Sequence, residues 1–297
     1  MTLRDALTEA SAHIARRDAE TLLAHLLSRD RAWLFAHPEA ELSAAHLEAL
    51  RALTARRAAH EPLQHLTGFQ DFYGLPLRVT RDTLIPRPET ELLVEAVLDW
   101  VASHPRMNAP RILDVGTGSG AIALALATHL PTVDITACDL SPAALDVARD
   151  NAERLGLSHR VHFLLSDLLT SPQLNTNAHF DAIVSNPPYV PTTDAATMQP
   201  EVVDHEPHTA LFAGPTGLDI YRRLIPQAHA ALRPNGLLAL EFGFGQSEAL
   251  RALLETPGSG AESPGSGAES PGSGDWRDLR FLDDYAGIPR IALATRP

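Results

Sequence analysis

The sequence predicts an α/β fold: a Rossmann-like doubly wound sheet, mostly parallel with a C-terminal antiparallel hairpin strand, plus a small N-terminal helical-bundle domain. Three observations carry this prediction. From residue 111 onward, short apolar and β-branched runs alternate with helical patterns, as in a parallel sheet covered by helices. The first 60 residues show apolar positions only at helical spacing. The last two apolar runs are separated by a turn at Gly287 and by no helix.

At the N-terminus, Leu3, Leu7, Ala10 and Ile14 recur at helical spacing, then Leu22, Leu23, Leu26 and Leu27, then Leu47, Leu50 and Leu53. Asp18 and Ser43 are placed as N-caps of the second and a later helix. "GFQDFYGLPLRVT" (68–80) turns aromatic and β-branched around Gly74, which predicts a hairpin. "IPRPETELLVEAVLDWVASH" then opens a helix near Pro88, since proline suits a first helical turn. Strands are predicted at 111–116, 133–139, 161–167, 180–185 and 236–243. Between the second and third of these lies a helix with Ser141 as N-cap and Pro142 at its first position. "LRFLDDY" and "RIALATRP" form the closing hairpin at the sheet edge. The expected division is a helical domain at 1–75, a linking hairpin and helix at 76–110, and the sheet domain at 111–297.

Within that last domain, residues 257–274 repeat PGSGAES twice and break off. The segment has no apolar residue with which to fold. It reads as a flexible, low-complexity tether spanning on the order of 23 Å, inert toward function.

Of the 297 residues, 44% are hydrophobic, enough for a sizeable core. No apolar run reaches the ~18–20 residues of a membrane span, and the acid-containing N-terminus is no secretory signal. Cys138 is alone in an apolar run, so no internal disulfide forms and a buried, inert thiol is expected. These features imply a cytoplasmic protein with no membrane partner. Net charge is −13, and all 24 basic residues are arginine. Such an acidic chain suits nucleic acid poorly, because phosphate affinity comes mostly from basic side chains; no direct nucleic-acid contact is expected.

Two constellations carry chemistry. In "LDVGTGSGAIALAL", Gly116, Thr117, Gly118, Ser119 and Gly120 form the turn between a buried strand and a helix. Glycine lets the backbone bend sharply and approach a ligand. Asp139 ends the next strand, where its carboxylate can accept ribose hydroxyls, at the sheet edge where open α/β folds bind ligands. The turn by itself fits both a nicotinamide dinucleotide and S-adenosylmethionine. Asp167 ends the third strand in the same way. Two carboxylates on successive strand ends suit a ribose and an adenine amino group with no pyrophosphate between them, which favours S-adenosylmethionine.

The second constellation is "SNPPYVP", after the fourth strand. Methyl transfer is an in-line displacement, so the acceptor must be held close and aimed. An amide or amino nitrogen, whose lone pair is delocalised, has to be held by its N–H donors and its flat face. Asn186 offers a side-chain carbonyl and Pro187 a backbone one; Pro187 and Pro188 stiffen the turn; Tyr189 can stack on the planar group. No strong base is required. In "DHEPH", His205 and His208 lack a third ligand, so no metal is expected and the segment reads as a loop covering the site. In "RPETE", Arg87 and Glu91 are candidates to brace the pocket and to bind the substrate.

Together "PLQHLTGFQDFYGLPLRV", "LIPRPETE", "ILDVGTGSGAIALALA", "SNPPYVP" and "EPHTALFAGPTGLDIYRRL" resemble the protein-(glutamine) methyltransferases of bacterial peptide chain release factors, over nearly the whole chain. The resemblance implies methylation of the glutamine side-chain amide in the Gly-Gly-Gln motif of those factors. It implies that Gly116 to Gly120, Asp139, Asp167, Leu168 and Asn186 hold S-adenosylmethionine, that the Asn-Pro-Pro-Tyr stretch holds the glutamine, and that the helical domain grips the protein substrate. Leu168 departs from the family, which often has an aromatic there, so an aliphatic contact to adenine is implied. The rival readings are a nucleic-acid exocyclic-amine methyltransferase, which the charge disfavours, a nicotinamide oxidoreductase, which leaves NPPY unexplained, and a binding module that never turns over. Deletion of 257–274 is expected to leave methyl transfer near the full-chain rate; a large loss in a labelled-methyl assay would show that the tether matters.

Overall fold

The computed structural model describes residues 1–105, 107–174, 179–255 and 276–297, so the PGSGAES repeat lies outside the described residues. Five helices open the chain: α1 (Leu3–Ser11), α2 (Arg16–Leu27), α3 (Arg31–Ala36), α4 (Ala44–Ala58) and α5 (Leu63–Thr67). Leu3, Leu7, Leu22, Leu23 and Leu50 close a core of their own, and Ile14 packs on it from the turn after α1. Ser43 caps α4, accepting the His46 amide at 3.1 Å. Asp18 does not cap α2. That helix begins one position after Ala15, and Asp18 sits in its first turn, where its carboxylate takes Arg57 Nε at 2.7 Å. An acid there still complements the positive helix end, so the residue preference is right and the position is three residues off.

Strands β1 (Phe69–Phe72) and β2 (Leu75–Arg78) form the expected antiparallel hairpin, and α6 (Glu89–Ala102) follows Pro88. The main sheet is built from β3 (Arg111–Val115), β4 (Asp134–Asp139), β5 (Val161–Leu165), β6 (Phe180–Ser185), β7 (Leu232–Glu241), β8 (Arg277–Asp283) and β9 (Pro289–Thr295). Its spatial order is β5-β4-β3-β6-β7-β9-β8, with β9 antiparallel to both neighbours and the others parallel. The connecting helices are α7 (Ala121–His129), α8 (Pro142–Arg154), two short turns α9 (Pro200–Val203) and α10 (His208–Leu211), then α11 (Asp219–Ala231) and α12 (Ser247–Glu255).

Successive strand residues face opposite layers. Ile112, Ala182, Val184 and Ala239 pack under α6 and α7, whereas Leu113, Ile183, Leu238 and Leu240 pack under α11 and α12. Burial on both faces explains why these strands read as unbroken apolar runs. Several strand ends differ from the expectation by one to four residues, and two of them bear on the site or the sheet register. β5 stops at Leu165, because the Ser166 hydroxyl bonds the Leu168 carbonyl at 2.7 Å and turns the chain; Asp167 therefore lies beyond the strand. β7 starts at Leu232, with a register shift opposite Phe180 to Ala182. Among the described residues no helix is long and apolar enough to cross a membrane.

The helical bundle is tied to the linking segment by an ion pair. Glu61, almost fully buried, receives Arg56 at 2.7 and 2.8 Å and Arg81 at 3.0 Å. The Arg56 hydrogen bonds, reinforced by Arg81, hold its carboxyl down to about 2. A lowered carboxylate stabilises the fold above its unfolded value and loses that contribution as the pH falls toward the folded one. Glu61→Gln is thus expected to lower the unfolding midpoint at pH 7, with a deficit that shrinks as the pH falls from 4.5 toward about 2. Thermal melts of both proteins across that range check it; an undiminished deficit at low pH would clear Glu61 of this role.

Candidate active site

The glycine turn follows β3. The amides of Gly116 and Thr117 both bond the Cys138 carbonyl, at 2.8 and 3.0 Å, which ties the turn to the end of β4. Gly116 and Gly118 have φ of +74° and +56°, and a Cβ on either would project into open space. Both line a cavity of about 410 Å³, a size suited to a small-molecule ligand. Gly120 answers a different need: its Cβ would stand 3.0 Å from Leu124 and 3.3 Å from Ala148, where α7 meets α8. Thr117 and Ser119 also line the cavity. Beneath the turn, Asp114 is fully enclosed and accepts the Thr117 hydroxyl at 2.7 Å; burial pushes its carboxyl up to about 7.

Asp139, at the end of β4, faces the same cavity. One carboxylate oxygen accepts the Gly118 amide and the other the Ser141 amide, each at 2.9 Å. A carboxylate has about four lone-pair directions, so acceptor capacity remains for a ligand hydroxyl. Beside it Leu140, 60% exposed, supplies an apolar wall that the sequence reading missed. Leu168 supplies another and is held at φ +52°, a conformation that costs a non-glycine residue about 1–3 kcal/mol. Asp167 lines the cavity too, but its carboxylate is paired with Arg223 at 2.5 Å. Cys138 is buried, its thiol is pushed up by burial, and it does not line the cavity.

Across the gap between β3 and β6 stands the corner. Asn186, Pro187 and Pro188 line the cavity. The Asn186 amide nitrogen donates to the Thr90 hydroxyl at 3.0 Å, which leaves Oδ1 without a partner among the described residues. Tyr189 is not in the cavity wall. Its phenol turns behind the corner toward Glu241, 3.4 Å away, and its ring packs with the core under α11; the stacking role expected of it has no support in this placement. The corner is pinned from outside by Gln246, which donates to the Tyr189 carbonyl and accepts the Gly243 amide, both at 2.9 Å. Gly217 packs so tightly there that a Cβ would lie 2.2 Å from the Tyr189 carbonyl.

Neither Arg87 nor Glu91 lines the cavity, so the substrate-binding role expected of them has no support in this placement. Arg87 pairs with the buried Glu206, which also accepts the Ile85 amide at 3.0 Å. Glu91 accepts the Tyr73 amide at 2.7 Å and fastens the β1–β2 hairpin to α6. The loop containing Glu206 does cover the site, since Pro207, Thr209 and Ala210 line the cavity. Among the described residues no group of three or more His, Cys, Asp or Glu could hold a metal ion. Thr90, Glu206 and Glu241 were missed from the sequence; a lone acid within the apolar run "GLLALEFG" was the available signal for the last.

The cavity offers a nucleoside-sized space, a carboxylate for ribose hydroxyls and apolar walls, which fits S-adenosylmethionine. It places the chain in the class of S-adenosylmethionine-dependent methyltransferases. The family descriptions agree: residues 2–68 match the "PrmC N-terminal domain" and residues 89–206 the "Methyltransferase small domain". A methyltransferase structure from Pyrococcus furiosus shares the fold at TM-score 0.53 and 17% identity, covering 82% of this chain and 98% of that one. The release factor glutamine methyltransferase of Koribacter versatilis is 40% identical over 304 residues, covering 100% of this chain and 99% of its own length. That of Moorella thermoacetica is 44% identical with the same coverage. The chain belongs to the release factor glutamine methyltransferase family.

Removing the Asp139 carboxylate takes away charged hydrogen bonds worth about 1.5–3 kcal/mol. Asp139→Ala is expected to weaken S-adenosylmethionine binding by roughly 10- to 100-fold, measured by calorimetry. Unaltered affinity would reject the residue as a cofactor ligand.

Proposed function

We propose that this chain moves the methyl group of S-adenosylmethionine to the side-chain amide nitrogen of the glutamine in the Gly-Gly-Gln motif of peptide chain release factors. The observation that carries the reading is the Asn186 amide, fixed at the cavity wall with its nitrogen engaged by Thr90 and its oxygen unengaged. A site for a primary amide needs acceptors for two N–H groups, and Asn186 Oδ1 with the Pro187 carbonyl supplies two on a stiff bend. Membership of the family supports the protein substrate.

When bound, S-adenosylmethionine would supply a methyl carbon activated by its sulfonium, whose carbon–sulfur bond breaks in the transfer to leave a neutral thioether. The remaining work belongs to the chain. Gly116 to Gly120, Asp139, Leu140 and Leu168 hold the nucleoside and amino-acid parts, and Asp167 holds Arg223 at the rim. Asn186 and Pro187 hold the glutamine nitrogen by its hydrogens, so that the nitrogen stays aimed while it bonds to the methyl carbon. The nitrogen sheds its extra proton to solvent as the methylated product leaves, and no side-chain base is needed. Pro187, Pro188 and the loop at Pro207 exclude bulk water from the meeting point. The bundle of residues 1–75 grips the release factor, and no nucleic acid is contacted directly.

Loss of a positioning contact at the reacting atom costs on the order of 100-fold in rate. Asn186→Ala is expected to cut kcat by about that factor and to leave S-adenosylmethionine affinity within a few-fold. The assay is labelled-methyl transfer to purified release factor, with mass mapping of the product. Methylation of plain RNA or DNA in place of the glutamine, or a variant with wild-type turnover, would overturn the reading.

A further inference from the structure

The turn that carries Leu168 is held from outside the cavity by a side chain that the reaction as described does not use. The Thr170 amide bonds the Asp167 carbonyl at 3.2 Å, which closes a four-residue turn with Leu168 at its first central position. A positive φ at that position ordinarily calls for glycine, yet Leu168 holds +52° there with a full side chain in the cavity wall. Such a conformation persists only where its surroundings over-determine it. Here the single peptide unit after Leu168 is pinned at both polar ends. Its carbonyl accepts the Ser166 hydroxyl at 2.7 Å, and its N–H, on the buried Leu169, donates to Gln227 Oε1 at 2.9 Å. Ser166 is buried and is itself fixed, because its oxygen accepts the Ser171 amide at 3.1 Å. Gln227 stands on α11 one turn beyond Arg223, which pairs with Asp167 at 2.5 Å. Residues four apart share one face of a helix, so α11 grips the turn at its first and third residues.

Resting on the reading that Leu168 forms a wall of the nucleoside pocket, we infer that Gln227 is a positioning residue for S-adenosylmethionine. It does not line the cavity itself. It acts through the Leu168–Leu169 peptide, whose orientation decides where the Leu168 side chain points. Without an acceptor on α11 the Leu169 N–H loses its partner in a buried place, and an unpaired buried donor is costly. The turn then gains by relaxing to a backbone that withdraws the wall. Binding must first restore the strained form, so the loss falls on affinity, in proportion to the share of free protein that still presents it. The acceptor corner follows β6, three places along the sheet from β5, and keeps its own supports.

The test compares full-length wild type, Gln227→Met, Gln227→Glu and Leu168→Ala. Methionine keeps the length of the side chain and removes the acceptor, whereas glutamate keeps an oxygen in its place. S-adenosylmethionine affinity is measured by calorimetry with no release factor present, kcat on release factor at saturating cofactor, and the melting midpoint without cofactor. Gln227→Met should weaken binding by about 10-fold, the factor by which the competent share of free protein falls, and hold kcat within about twofold. Gln227→Glu should recover the wild-type affinity, and Leu168→Ala should bind weakly. Wild-type affinity in Gln227→Met beside an impaired Leu168→Ala would overturn the positioning role alone. Wild-type affinity in Leu168→Ala would overturn the reading beneath it. Parallel losses of melting midpoint, affinity and kcat in Gln227→Met, unrescued by glutamate, would reduce the residue to packing and also sink the inference.

Discussion

The buried Ser185 hydroxyl donates to the Val115 carbonyl at 2.6 Å, and this bond joins the two strand ends between which the chemistry is arranged. β3 and β6 are parallel neighbours whose following segments leave in opposite directions, one into the glycine turn and one into the proline corner. A crevice opens between them as a consequence of topology. Fixing the two carbonyl ends fixes the distance between methyl donor and acceptor. A parallel sheet packed on both faces gives that distance little freedom to drift.

Much of this was legible in the sequence because local chemistry dictates it. The strands announce themselves as apolar runs since both faces are covered, and Ser43, Ser141 and Gly287 sit where capping and turn rules put them. Gly116 and Gly118 could be read because only a missing Cβ suits a positive φ against a ligand space. Most of what escaped depends on partners far along the chain. Thr90 meets Asn186 across 96 positions, and Glu206 reaches Ile85 across 121. Tyr189 looked like a stacking platform because its neighbours are acceptors, yet a buried carboxyl on the adjacent strand captures its phenol. Asp167 was read as a strand end because nothing local reveals that Ser166 closes a turn on Leu168.

Two buried acids, Asp114 and Glu241, stand at about 7 on either side of the crevice. A carboxyl raised above its unfolded value stabilises the fold fully below that value and loses the contribution as the pH rises through the folded one. Near neutrality the molecule therefore keeps two ionisable groups where an apolar residue would be more stable. Each lies directly under a functional element, the cofactor turn in one case and the acceptor corner in the other. Stability and site geometry are set against each other at the same positions, as expected where precise placement matters more than a minimum-energy core.

The N-terminal bundle is fastened to the site's cover. Arg57 of α4 holds Asp18 at 2.7 Å within the bundle and Glu201 at 2.9 Å in α9, five residues before the Glu206 that grips Ile85 and Arg87. That segment is slung between the bundle on one side and the hairpin-to-helix linker on the other. On the proposal that the bundle grips the release factor, that grip bears through Arg57 and Glu201 on the same short segment that lines the reaction chamber.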